Sequence, residues 1–222
     1  MVLLATSSFL SCKQNIAKSD RVAKKDFEPL KGNNEENQMP LDEFWAIIER
    51  ARRKGAADEE QLKQNLIKEL RKTSDSKLAQ FQNRWLQLMA DTYRWDLLAV
   101  FFQINEGCSD DGFFDFRDQL VAKGRPIYEN VIRDPENLVV YAEQESPLPL
   151  YWWDYEAHFH SAAEIAYRLN HGKAANDYDV TLPGTSFRWP AKPAGEDFNF
   201  EDAATIKRKF PRLWEYLQRR DD

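Results

Sequence analysis

The chain has 222 residues, enough for one domain with a substantial core and a tail but too few for two comfortable domains. Hydrophobic residues at 42% and aromatics at 13% exclude a disordered chain, and 31% charged residues predict a well-solvated surface. A net charge of −6 argues against a dedicated nucleic-acid binder, and two cysteines, Cys12 and Cys108, exclude a disulfide framework or a Cys-rich zinc site.

Residues 1–12 form a short apolar run that ends in small residues and Cys12. This resembles a bacterial lipoprotein signal, in which the cysteine thiol is diacylated and becomes the new N-terminus. Lys and Arg are absent before the run, and Leu10 is larger than the residue such signals favour there. The plain alternative is a tail with an incidental cysteine. No apolar run is long enough for a transmembrane helix, so membrane contact would come only through lipid or a surface contact. Residues 13–38, rich in Lys, Asn, Glu and Asp, predict a flexible polar tether, and residues 39–222 a single helical domain.

From Pro40 the periodicity is helical. Phe44, Ile47, Ile48 and Ala51 mark a first helix stopped by Gly55. Asp58, with Gln61 three residues on, opens a second helix whose face carries Leu62, Leu66, Ile67 and Leu70. Ser74 or Asp75 caps a third, with Leu78, Phe81, Trp85 and Leu88 inward. Residues 93–104 are apolar on nearly every face after Arg94 and Asp96, as befits a central helix surrounded by others. At the corner that follows, Gly107 suits a left-handed residue past a helix end and Ser109 the next N-cap. A fifth helix places Phe113, Phe116 and Leu120 inward and closes at Gly124; Pro126 opens a sixth that ends at Asp134-Pro135.

Residues 138–141, Leu-Val-Val-Tyr, read as a short strand. Residues 151–155 lead into a helix running to about Asn170, residues 173–200 are broken by Pro and Gly, and a last helical stretch docks Phe210 to Leu217. That stretch carries Lys207, Arg208, Lys209, Arg212, Arg219 and Arg220, diluted by Glu201, Asp202, Glu215, Asp221 and Asp222, which makes it a solvated face. The fold class is therefore all-α, a compact bundle of six to eight helices around residues 93–104 with a long irregular C-terminal loop.

The run Tyr93-Arg-Trp-Asp-Leu, then Gly107-Cys-Ser-Asp-Asp-Gly-Phe113 and Gly124-Arg125, with Phe44-Trp45 before and Phe210-Pro-Arg-Leu-Trp214 after, resembles the bacterial domain of unknown function 4240 family over about residues 40–217. The resemblance implies a helical domain and brings no reaction, cofactor or partner. Glu106 stands where that family more often shows a second glycine, so the chain reversal here is expected to lean on Gly107 alone.

Asp110, Asp111, Asp115 and Asp118 are the strongest acidic group, and the last three share a helix face where they could meet a cation or an arginine. The structural reading has Asp110 and Asp111 favouring the helix start and one of them pairing with Arg94, Arg117 or Arg125. Cys108 precedes a helix N-terminus, yet nothing places His158, His160 or His171 beside it as a base. His158 and His160, two apart, point opposite ways on a helix, and His160–Glu164 and Asp154–His158 read as helix-surface pairs. Trp152, Trp153 and Trp189, with Tyr151, Tyr155 and Phe187, either staple a loop to the core or form a binding surface.

No catalytic constellation, cofactor motif or metal set is recognised in this pattern. The expected role is a binding or interaction domain for an unknown protein or small ligand, lipid-anchored at the cell envelope through Cys12. The alternatives are a metal-assisted hydrolase using residues 110–118, and a cytoplasmic location.

Overall fold

Short polar side chains set where the helices begin. In a computed structural model of the chain, which describes residues 35–56, 58–144 and 158–221, Asp58 accepts the Gln61 amide at 2.7 Å, Ser74 accepts that of Lys77, and Ser109 accepts that of Gly112 at 2.9 Å. Ten α-helices result among the described residues. They are α1 (Leu41–Arg53), α2 (Glu59–Leu70), α3 (Asp75–Asp91), α4 (Trp95–Ile104), α5 (Asp110–Ala122), α6 (Arg125–Arg133), α7 (Leu138–Gln144), α8 (Ala162–Asn170), α9 (Ala203–Lys209) and α10 (Pro211–Asp221). The fold is all-α, and none of its described helices is long and apolar enough to cross a membrane.

The apolar stripes read from the sequence meet in one core. Phe44 stacks on Phe81 with ring centroids 4.7 Å apart, and both lean on Trp85, tying α1 to α3. α2 packs along α1 and α8, and α3 along α8 and α5. In α4, Leu97, Leu98, Ala99, Val100 and Phe102 are wholly buried, as an all-round apolar helix requires. Phe101 stacks on Phe116 of α5 at 4.2 Å. Truncating a side chain such as Leu98 to Ala would cost about 2–5 kcal/mol in lost transfer energy and cavity.

The structure corrects the sequence reading at four places. Residues 138–141 are not a strand but the first turn of α7. Asp134 accepts the Glu136 amide and launches a short 3-10 turn, Pro135–Asn137, that runs straight into the helix, burying Leu138, Val139 and Ala142. With no second strand among the described residues, a helix satisfies the backbone where an isolated strand could not. This extra helix, together with the division of the C-terminal stretch into α9 and α10 around Phe210-Pro211, raises the count from six to eight to ten.

The helix expected before Asn170 begins only at Ala162. His158 holds a left-handed conformation (φ 41°), which an α-helix excludes, and a 3-10 turn, Phe159–Ser161, follows it. At the α4–α5 corner the reversal does not lean on Gly107 alone. Glu106 itself takes the left-handed position (φ 56°), with Gly107 at φ 127°, so that the Gly107 amide reaches back to the Phe102 carbonyl at 2.9 Å.

The loop after α8 is irregular, as expected, and is fastened rather than loose. Asn83 donates to the carbonyls of Asn37 and Gly184 and accepts the Ser186 amide, and Ala194 exchanges backbone hydrogen bonds with Tyr93 and Trp95.

Candidate functional site

The acidic face of α5 does not meet the arginines proposed for it. Arg94 pairs with Asp96, and Arg125 pairs with Asp42 and Glu129. Arg117 is buried, donating to the carbonyls of Phe113 and Met89 beneath the rings of Tyr93 and Trp189. Asp110 and Asp111 occupy the first turn of α5, where Asp110 Oδ1 accepts the Asp111 amide at 3.1 Å.

Two turns further on, Asp118 is buried and both its oxygens are used. Oδ1 accepts the Trp85 indole N–H at 2.7 Å, and Oδ2 lies 3.1 Å from His160 Nδ1. An ionised carboxylate only accepts, so Nδ1 carries the proton and the tautomer is fixed, leaving Nε2 as the reactive nitrogen. Burial alone would lower the His160 pKa, but the hydrogen bond and charge of Asp118 outweigh it and raise it. Asp115 lies 3.8 Å from His158 Nδ1, and burial raises its carboxyl pKa.

The two histidines therefore do not point apart. The left-handed His158 and the 3-10 turn after it bring their rings within 5.8 Å, edge to face, over one carboxylate each. The helix-surface pairing His160–Glu164 does not form, since Glu164 holds Arg168; Asp154 lies outside the described residues. His171 is taken up elsewhere, by Asp75 at 3.0 Å. Phe114 meets the His160 ring edge to face, and Trp189 leans on Phe114 and Phe187. Trp152, Trp153 and Cys12 lie outside the described residues. Among the described residues, no three His, Cys, Asp or Glu side chains are grouped to hold a metal ion.

Lys63 completes the cluster and was not singled out from the sequence. It is 9% exposed on α2, within electrostatic reach of Asp118 and His160, and burial lowers its pKa. Its sole sequence signal is a Lys one position from Leu62 and three from Leu66, on the apolar side of its helix.

A second concave feature lies at the N-terminal end of α4. A groove of about 370 Å³ is lined by Arg94, Asp96, Gly195, Glu196, Phe198 and Phe210, with Ala194 and Lys209. Each charge on its wall has an opposite partner: Arg94 grips Asp96 and also donates to the Ile132 carbonyl, and Lys209 bonds Glu196 at 2.9 Å. Lys209 also rests 4.8 Å over the Phe198 ring, and its hydrogen bond, with its charge second, holds the Glu196 carboxyl below the usual range. The backbone bonds between Tyr93, Trp95 and Ala194 fix the loop edge of the groove. Of the candidate site residues read from the sequence, Arg94 alone lies here; Asp96, Lys209 and Phe210 figure there only as parts of helices and motifs, and no sequence pattern assembles them with Phe198 and the 194–196 turn.

No curated protein and no solved structure matches the chain. A family model described as "Protein of unknown function (DUF4240)" matches residues 39–169, from the residue before Pro40 to the last turn of α8 and short of the C-terminal loop, α9 and α10. The motifs around the α4–α5 corner and the Asp118–His160 contact fall inside that span, and the chain belongs to the DUF4240 family.

Proposed function

We propose that the protein is a non-enzymatic binding domain whose ligand or partner group enters the groove at the N-terminal end of α4. The observation that carries this reading is the groove itself. Its volume of about 370 Å³ falls in the range of small-molecule sites, and it combines an aromatic lining, Phe198 and Phe210, with two ion pairs on its walls. Paired charges of both signs favour a ligand or partner segment with an apolar body and balanced polar groups, because a single net charge would gain little from either pair. The acidic face of α5 supports a hydrolytic role less well, since Asp118, Asp115 and Asp110 already serve Trp85, the two histidines and the helix start.

A photo-crosslinking amino acid at position 198, expressed in the native host, tests the groove. The expected result is a crosslinked product absent when the probe sits at the exposed Tyr178 and lost when Glu196→Lys breaks the pair with Lys209. Equal crosslinking from positions 198 and 178 would end the reading.

The lipid tether at Cys12 is a second element of the proposal, supported by the apolar run 1–12 and the polar composition of 13–38. Intact mass and membrane partition of wild type against Cys12→Ala decide it. A membrane-bound, acylated wild type that begins at Cys12 is expected; a wild type that keeps residues 1–11 and partitions like the variant places the protein in the cytoplasm.

A further inference from the structure

The two histidines of the 158–161 turn meet the same kind of neighbour at the same ring atom. His160 Nδ1 lies 3.1 Å from Asp118 Oδ2, His158 Nδ1 lies 3.8 Å from Asp115 Oδ1, and the two carboxylates stand three residues apart on one face of α5. Each ring therefore turns its Nδ1 to the helix and its Nε2 away from it. Neither Nε2 has a hydrogen-bond partner among the described residues, and the His158 and His160 side chains are 52% and 28% exposed. A carboxylate behind Nδ1 is the arrangement that orients an imidazole and raises its basicity for a metal ion at Nε2. Here it occurs twice, on rings whose centroids are 5.8 Å apart and whose planes cross at 80°. Two imidazoles that share one ion through Nε2 at about 2.0–2.1 Å, with a near-tetrahedral angle at the metal, have centroids about 5–6 Å apart.

We propose that His158 and His160 form a binding site for a divalent transition-metal ion, with Zn²⁺ as its type, held through the Nε2 of each ring. The left-handed His158 builds it: φ 41° and the 3-10 turn that follows bring to one side two rings that a helix would send apart. Asp115 and Asp118 are positioning residues, which orient the rings without touching the ion. The charge around the rings suits a cation, since Glu60, Asp111, Asp115 and Asp118 outnumber Lys63 among the charged groups in reach. Two imidazoles fill half of a tetrahedral shell, so the remaining positions go to water or to donor atoms of a bound molecule. Imidazole nitrogens without an oxygen cage select Zn²⁺, Ni²⁺ or Cu²⁺ over Mg²⁺ and Ca²⁺. The site shares no residue with the groove at α4 and stands or falls apart from it.

The test is titration of the reduced, chelator-treated full chain with zinc chloride at about pH 7.5, read by calorimetry and by the ring-nitrogen resonances of the histidines. Wild type is expected to bind saturably, moving the Nε2 resonances of His158 and His160 together and leaving those of His171, which Asp75 holds at 3.0 Å, in place. His158→Gln and His160→Gln each lose roughly tenfold or more in affinity, and Asp115→Asn loses about threefold or more through ring orientation alone. His171→Gln binds as wild type. Because the His158 side chain is half exposed, its replacement leaves the core intact, so loss of binding in that variant is not loss of fold. The ring-nitrogen resonances also separate this site from zinc held by the thiols of Cys12 or Cys108, which would leave the imidazoles unmoved. The proposal is overturned if the imidazoles do not move, if His171 shifts as much as the other two, or if His158→Gln binds equally. Competition by Mg²⁺ at equal concentration overturns it as well, because the ion would then belong to the carboxylates.

Discussion

Asp118 on α5 and His160 in the turn before α8 meet at 3.1 Å across 42 residues of sequence, and the same carboxylate takes the Trp85 indole N–H at 2.7 Å. One buried charge thereby joins α3, α5 and the entry to α8. The folded-state pKa of His160 is raised above its ordinary value of 6.5, so the stability it adds is fully present below that value and is lost as pH rises through the folded pKa. His160→Gln should therefore cost about 1–2 kcal/mol at about pH 6 and less at about pH 8, where the neutral hydrogen bond alone remains. Urea denaturation of both proteins at the two pH values checks it; a difference that grows with pH contradicts the assignment. Asp118→Ala leaves the buried Trp85 indole and the part-buried His160 Nδ1 without their acceptor and should cost about 2–4 kcal/mol, more at about pH 6 than at about pH 8.

That contact was not legible in the sequence, for a physical reason. Helix caps and apolar stripes are local, so Asp58, Ser74 and Ser109 mark their helix starts and Phe44, Leu78 and Leu98 their buried faces without reference to the rest of the chain. The pairing of Asp118 with His160 depends on how α5 and the 158–161 turn dock. It also depends on the left-handed His158, which no propensity announces because the residue is not glycine. Treating residues 155–170 as one helix sent the two histidines to opposite sides. The groove at Arg94 was not legible: the sequence offers Arg94 as a partner for Asp110 or Asp111, but it pairs with Asp96, and the aromatic wall comes from more than 100 residues downstream.

Arg117 decides whether the Trp189 region is a staple. Its guanidinium lies 4.6 Å from the Tyr93 ring centroid and 5.6 Å from that of Trp189, with two backbone carbonyls as acceptors, and burial lowers its pKa to about 10, still charged at neutral pH. A lysine cannot serve two carbonyls and two ring faces from one ammonium. Arg117→Lys should lose about 2–4 kcal/mol and speed proteolysis within residues 183–195. Unchanged cleavage there would mean that the loop is held by Asn83 and Ala194 alone.

Glu69 on α2 gathers Lys54, Lys72 and Arg50, the first two at 2.6 Å and the last at 3.2 Å. The hydrogen bonds from Lys54 and Lys72 hold its pKa at about 2, against an ordinary 4.5. A depressed carboxylate contributes stability above the unfolded value and loses it as pH falls from 4.5 towards 2. Because its partners are largely exposed, the loss should be about 1–2 kcal/mol rather than the full linkage value. Acid titration of wild type against Glu69→Gln measures it: the gap between the curves should close over that interval, and a gap that persists at about pH 2 assigns the effect to packing.

Glu106 holds the left-handed position that closes α4, at φ 56°, where a Cβ is strained and glycine is not. What it gains in return is a pair with Arg220 at 3.4 Å, with the Glu106 side chain 70% exposed, a contact worth little in water. Glu106→Gly should therefore stabilise the protein, by about 0.5 kcal/mol after the higher entropy of the unfolded glycine chain is set against the relieved strain. Gly107→Ala should act in the opposite sense and cost more than 1 kcal/mol, roughly, because φ 127° is closed to an L side chain and the Gly107 amide would lose its reach to Phe102. Denaturant midpoints of the two variants form the test. If both destabilise, the Arg220 pair outweighs the backbone strain, and the corner is held by its ion pair rather than by its turn geometry.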